Sequence, residues 1–195
     1  MKRPRLKRPR ARKNSPGRDG WLRAAHDALI REGIGGVEIG KLARKLQVTR
    51  GGFYWFFDSR KQLLNRLLAD WEENNSRVFF SVRNLGTSGA VELKTLSETW
   101  IHENGYHPQW DAAVREWARI SPRVAIVVRR VDDARIAAIR RIFQDIGYAE
   151  PEAFIRARIT YFHQVGYYAL GVQESREQRM ELLPIYMRIL TGASS

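Results

Sequence analysis

Residues 49–55 read Thr-Arg-Gly-Gly-Phe-Tyr-Trp, and these residue types suit contact with a polyanion better than catalysis. The Thr49 hydroxyl and the Arg50 guanidinium can donate to phosphate oxygens, and the arginine fork also matches the acceptors on a guanine edge. Gly51 and Gly52 let a helix backbone approach a surface closely, and the tips of Tyr54 and Trp55 can reach a sugar-phosphate backbone or a thymine methyl. Each glycine inside a helix costs about 1 kcal/mol relative to alanine. Two of them beside an outward Tyr-Trp pair therefore call for a binding partner. Between residues 41 and 61 the chain carries Lys41, Arg44, Lys45, Arg50, Arg60 and Lys61 against one acid, Asp58. Arg60 and Lys61 sit where a long helix should begin, and the free N–H groups of a helix start already favour an anion. The bland alternative for this stretch is a helical hairpin with a solvated basic face.

Other chemistries lack support. No paired carboxylates, nucleophile–base pair or phosphate-cradling glycine loop stands out, so no enzyme activity and no cofactor are expected. The 195 residues include no cysteine, which removes disulfides, thiolate metal sites and a cysteine nucleophile. His102 and His107, with Glu103 nearby, are spaced by five and interrupted by Gly105, so they do not share a helix face and no metal site is expected. No apolar run approaches the roughly 20 residues that span a bilayer. The N-terminus lacks the apolar core of a secretory signal, and a cytoplasmic location is expected.

The elements that must position residues 49–55 follow from periodicity. Trp21, Ala25, Ala28 and Leu29 mark a helix from Asp19 to the glycines at 33, 35 and 36. Ile39, Leu42, Ala43 and Leu46 mark a second, short helix. Val48-Thr49 then reads as a turn and N-cap opening a third helix that ends near Phe57. In this arrangement Phe53 and either Phe56 or Phe57 face the core. Ser59 with Gln62 reads as a capping box that starts a long helix through Leu63, Leu67 and Trp71 into the low 80s. Further helices are expected at about 89–104, 109–121, 123–146, 152–171 and 175–190, with Pro108, Pro122 and Pro151 at their starts and Gly105, Gly147 and Gly171 after their ends. No segment alternates with a period of two, and the expected fold class is all-α.

The stretch from Trp21 to Trp71 resembles the DNA-binding domain of the TetR (tetracycline-repressor-like) family. The resemblance is carried by Leu42-Ala43, by Val48-Thr49-Arg50-Gly51-Gly52-Phe53-Tyr54-Trp55, and by Phe57 and Ser59-Arg60 with Leu63. It implies a three-helix helix-turn-helix domain in which Thr49, Arg50, Gly51, Tyr54 and Trp55 face operator DNA. Arg60 stands in for the family's phosphate-binding lysine. It also implies a C-terminal helical bundle that senses a small-molecule effector and dimerises. Three positions depart from the pattern. Gln47 replaces a turn glycine and would need a left-handed backbone. Phe56 replaces a common histidine. Glu38 stands where a threonine often approaches phosphate.

Residues 1–18 form a basic, proline-containing arm whose composition does not support a folded core. Residues 19–84 are assigned to the DNA-binding domain with its linking helix, and 85–195 to the sensing and dimerisation domain. Of the 34 lysines and arginines, nine precede the first acid, Asp19, which leaves 25 against 21 acidic residues. Most of the net charge of +13 therefore sits in the arm. The arm is either a solvated leader or a minor-groove contact beside the helix-turn-helix.

Aromatic residues concentrate in the C-terminal half. Trp100, Trp110, Trp117, Phe143 and Phe162 are candidate linings of an effector cavity, with His163 or Tyr167 as its polar handle. Residues 152–190 are the expected seam of a homodimer, built as a four-helix bundle with the symmetry mate. The expected function is a ligand-released repressor bound to palindromic double-stranded operator DNA. The alternative is an architectural DNA binder with neither sequence preference nor ligand.

Overall fold

The computed structural model describes residues 16–82 and 86–192, so the expectations for residues 1–15 of the arm lie outside it. The described residues are all-α. In chain order they form α1 (Gly17–Glu32), a 3-10 turn (Ile34–Gly36), α2 (Ile39–Lys45), α3 (Arg50–Phe53) and α4 (Arg60–Ser81). These are followed by α5 (Gly89–His102), α6 (Pro108–Ile120), α7 (Pro122–Ile146), α8 (Glu152–Ala169) and α9 (Arg176–Thr191). They fall into two compact units, one up to Ala69 and one from Asp70.

Local signals account for most boundaries. Pro108 and Pro122 occupy the first turns of α6 and α7, where a missing N–H is no loss. Gly147, at φ 115°, ends α7 in the left-handed region. Helix α9 starts on a complete capping box, Ser175 with Gln178. At α4 the pattern is half of that motif. Ser59 Oγ accepts from the Gln62 N–H at 3.2 Å, but Gln62 Oε1 accepts from the Asp58 N–H at 2.7 Å instead of from Ser59. The first helix begins at Gly17, two residues before the expected start, so Arg18 belongs to it and its guanidinium lies 5.2 Å from the Phe57 ring centre.

The core of the first unit is aromatic. Trp21 meets Phe53 edge-on at 5.2 Å, Phe53 stacks on Phe57 at 5.4 Å, and all three are fully buried with Leu29, Leu42, Leu63 and Leu67. Phe57, not Phe56, thus completes the core. Offset and edge contacts of this kind add about 0.5–1.5 kcal/mol each beyond area burial.

In the second unit α7 packs against α5, α6 and α8. Its apolar heart joins Phe79 of α4, Leu93, Leu96 and Trp100 of α5, Ile139, Ile142 and Phe143 of α7, and Ala157 and Tyr161 of α8. A charged pair, Arg135 and Asp111, is buried here. The fully buried Arg135 guanidinium lies 5.4 Å from the Trp71 ring and 5.0 Å from the Phe79 ring, a cation–π arrangement. Its Nη1 donates to Asp111 Oδ1 at 3.0 Å and to the Tyr161 hydroxyl at 3.2 Å. Arg115 donates to Asp111 at 2.7 Å and makes two bonds to Asp132 at 2.7 and 3.0 Å. The Tyr161 hydroxyl donates in turn to Asp132 at 2.6 Å. Burial alone would raise the Asp111 carboxyl, but Arg135 and Arg115 outweigh it and hold the group below the usual carboxylate range. Asn75 of α4 ties in from the side, donating to the His107 carbonyl at 3.2 Å and accepting from the His107 N–H at 3.0 Å.

Candidate nucleic-acid interface

The geometry of residues 39–61 begins with the turn between α2 and α3. Gln47 has φ 55°, so the left-handed conformation expected there is met by a residue with a side chain. The turn is closed by Gln47 N–H donating to the Arg44 carbonyl at 3.1 Å and Val48 N–H donating to the Ala43 carbonyl at 3.0 Å. Thr49 takes the extended N-cap conformation, φ −76° and ψ 152°, yet its hydroxyl makes no capping bond. Helix α3 is shorter than expected and ends at Phe53. The chain continues to Phe57 through tight turns, with the Tyr54 N–H on the Gly51 carbonyl and the Phe56 and Phe57 N–H groups on the Phe53 carbonyl. Holding Phe53 and Phe57 together in the core fixes this turn and leaves the residues between them outside.

The outer face consists of the expected residues. Thr49, Arg50 and Gly51 are exposed, Tyr54 is 54% exposed and Trp55 37%. Neither glycine is required by the fold. Gly51 and Gly52 are not in the left-handed region, and a Cβ added to them would come no nearer than 3.8 and 4.0 Å to the Thr49 hydroxyl. A side chain would therefore fit at both positions in the free protein. Arg50 lies against α2, where a Cβ added to Gly40 would collide with its guanidinium.

The surrounding cations differ in what they touch. Lys61 is exposed. Lys41 bonds the Gly35 carbonyl at 3.2 Å and pairs with Glu38 at 3.7 Å, which places the carboxylate that departs from the family pattern beside a cation. Lys45 pairs with Asp27 of α1 at 3.1 Å. Asp27 titrates below its ordinary value because its bonds to Lys45 and His26 overcome the slight burial that would raise it. Arg60 is the most constrained. Its Nε donates to the Val37 carbonyl at 2.6 Å and its Nη2 to the Ile34 carbonyl at 2.9 Å, binding the start of α4 to the segment before α2. The sequence offered no sign of that structural task.

Residues 22–67 match the model of the bacterial regulatory proteins of the tetR family. This segment is a tetR-type DNA-binding domain. Solved structures with the chain's fold include a TetR-like transcriptional regulator from Rhodococcus sp. RHA1, at TM-score 0.71 and 16% identity over 96% of this chain and 100% of that one. The ketosteroid transcriptional regulator KstR2 of Mycobacterium tuberculosis aligns at TM-score 0.67 and 14% identity, over 90% and 93%. The fatty acid degradation regulator FadR of Bacillus halodurans aligns at 0.64 and 14%, over 95% and 98%. No curated protein sequence matches the chain. The matched segment is the helix-turn-helix, DNA-binding part of such transcriptional regulators.

In the second unit a cavity of about 200 Å³ lies between α5, α8 and α9. Trp100, His163 and Tyr167, three of the residues expected at an effector site, line it. Phe143 instead packs in the core, Trp110 and Trp117 are buried on α6 away from this cavity, and Phe162 is half exposed on α8. Gln164, Arg179 and Tyr186 also line it and were not anticipated. A polar Gln164 directly after His163 in an apolar helix was the available signal. Burial and the neighbouring Arg179 lower the His163 pKa, favouring the neutral imidazole. Among the described residues no helix is long and apolar enough to cross a membrane, and no group of three or more potential metal ligands is found.

Proposed function

We propose that the chain is a ligand-released repressor that binds palindromic operator DNA as a homodimer, with residues 19–84 engaging DNA and 85–195 sensing and dimerising. The observation that carries DNA reading is the pair Gly51 and Gly52, whose missing side chains answer no need inside the protein. A close partner surface supplies the need, and Thr49, Arg50, Tyr54 and Trp55 surround the glycines with groups that suit the major groove. Lys41, Arg60 and Lys61 are assigned to flanking phosphates, Arg60 through the donors its two carbonyl bonds leave over. Gly52 joins the close-approach surface.

Dimerisation through 152–190 is supported by a row of apolar side chains left in water. Ile155, Ile159 and Phe162 of α8 and Leu182, Ile185 and Ile189 of α9 are all exposed. Exposed apolar rows of this kind mark an interaction surface, and a second copy offers the same rows by symmetry. Release follows if an effector in the α5–α8–α9 cavity is bound more tightly by the DNA-incompetent state.

The test compares the affinity of the full chain for duplexes it has itself selected with that for random duplex, at one salt concentration. Selected sites are expected to bind tighter by about 10³ or more, by a species that sediments as a dimer. Equal affinities would instead indicate architectural binding.

A further inference from the structure

Two residues that line the cavity between α5, α8 and α9 carry buried hydrogen-bonding capacity left over. Trp100 and Gln164 are each 3% exposed and both line it. Neither Trp100 Nε1 nor Gln164 Nε2 has a hydrogen-bond partner among the described residues. An indole N–H can only donate, and so can an amide nitrogen, so both leftovers ask for an acceptor. Two of the wall's hydroxyls are engaged elsewhere: Ser97 donates to the Leu93 carbonyl at 2.9 Å and Thr160 to the Arg156 carbonyl at 2.9 Å, each within its own helix. Arg179 and Glu174 put opposite charges in the wall, the Arg179 guanidinium 4.3 Å from the Tyr167 ring centre and its Nη1 donating to the Tyr168 hydroxyl at 3.2 Å. Most of the remaining wall is apolar, including Ile101, Leu183 and Leu190.

We propose that this cavity takes a small, mainly apolar molecule ending in a carbonyl or carboxylate oxygen, which the Trp100 and Gln164 N–H groups receive. A cavity of about 150 Å³ is known to hold benzene, so about 200 Å³ suits a single substituted ring or a short chain. The aromatic and aliphatic wall excludes water from the body of the molecule, and the two donors orient its head. As the effector of DNA release the occupant rests on the reading proposed above, whereas its chemistry rests on the cavity alone.

The experiment is calorimetric titration of the full chain with acetophenone, phenylacetate, ethylbenzene and phenethylamine, at up to about 10 mM. Acetophenone, phenylacetate or both should bind at least about tenfold more tightly than ethylbenzene, and phenethylamine should gain nothing. Which of the first two binds distinguishes a neutral carbonyl from a carboxylate. Gln164→Leu and Trp100→Phe, with melting temperatures confirming that they fold, should each remove much of the advantage over ethylbenzene while leaving ethylbenzene binding unchanged. Equal binding of ethylbenzene and acetophenone, or no binding by any of the four, overturns the proposal. The same compounds added to the protein–DNA complex separate the two levels. Binding without release leaves the cavity chemistry standing and overturns the effector role.

Discussion

Replacing Gly51 or Gly52 with alanine should leave the first unit as stable or more stable, while DNA affinity falls. Both positions accept a Cβ without a contact shorter than 3.8 Å, and neither backbone is left-handed. The substitution then restricts the unfolded chain without straining the folded one, which stabilises by about 0.4–1 kcal/mol per site. Against DNA the same methyl stands between the helix and the base edges. A loss of roughly 1–3 kcal/mol in binding is expected, the scale of one base contact. Thermal unfolding and equilibrium DNA binding on the same variants check both signs. Stability and affinity rising together would show that the glycines do not serve close approach. Gly40→Ala would be a poor substitute, because its Cβ displaces Arg50 and confounds packing with recognition.

Arg135→Met should cost the second unit roughly 3–5 kcal/mol, because it leaves the buried Asp111 carboxylate with one cation instead of two. Chemical denaturation measures that loss. Adding Asp111→Asn should recover part of it, since the uncompensated charge is then gone, and the double-mutant cycle gives the coupling directly. The pH dependence has a definite sign. Asp111 is held below its unfolded value by Arg135 and Arg115 against the effect of burial. Its contribution is therefore present above about pH 4 and lost as pH falls through the lower folded value. In Arg135→Met the folded value rises, so acid destabilisation should begin at higher pH than in the parent. An unchanged acid profile would mean that Arg135 does not hold the carboxylate.

Arg135 also shows why part of the fold was not legible in the sequence. Val131, Arg135 and Ile139 share one stripe of α7, and periodicity alone reads the stripe as apolar. The partners that allow a charge there, Asp111 and Tyr161, come from α6 and α8, so no local pattern announces them. Helix starts at Pro108 and Pro122 were legible because each is decided by one residue's own backbone chemistry, whereas the left-handed turn at Gln47 was legible only through the resemblance, whose turn glycine it replaces. Helix α3 was overextended because an apolar spacing of four, Phe53 to Phe57, looks the same in a helix and in a succession of turns. The cavity was half legible. Aromatic content pointed to α5, α6, α7 and α8, but it could not say which rings face a void, and Phe143 proved to be core while Gln164 and Arg179 line the space.

The outward face of α3 as the reader of DNA sequence is tested most directly by selecting bound duplexes from a random pool, in parallel with the parent chain and with Arg50→Ala. The parent should enrich a two-fold-symmetric consensus, with related half-sites placed on the same face of the duplex. The variant should lose base preference at one position in each half-site, by about 1–3 kcal/mol, while the other positions persist. No consensus from the parent, or the same consensus at the same enrichment from both proteins, would contradict the account.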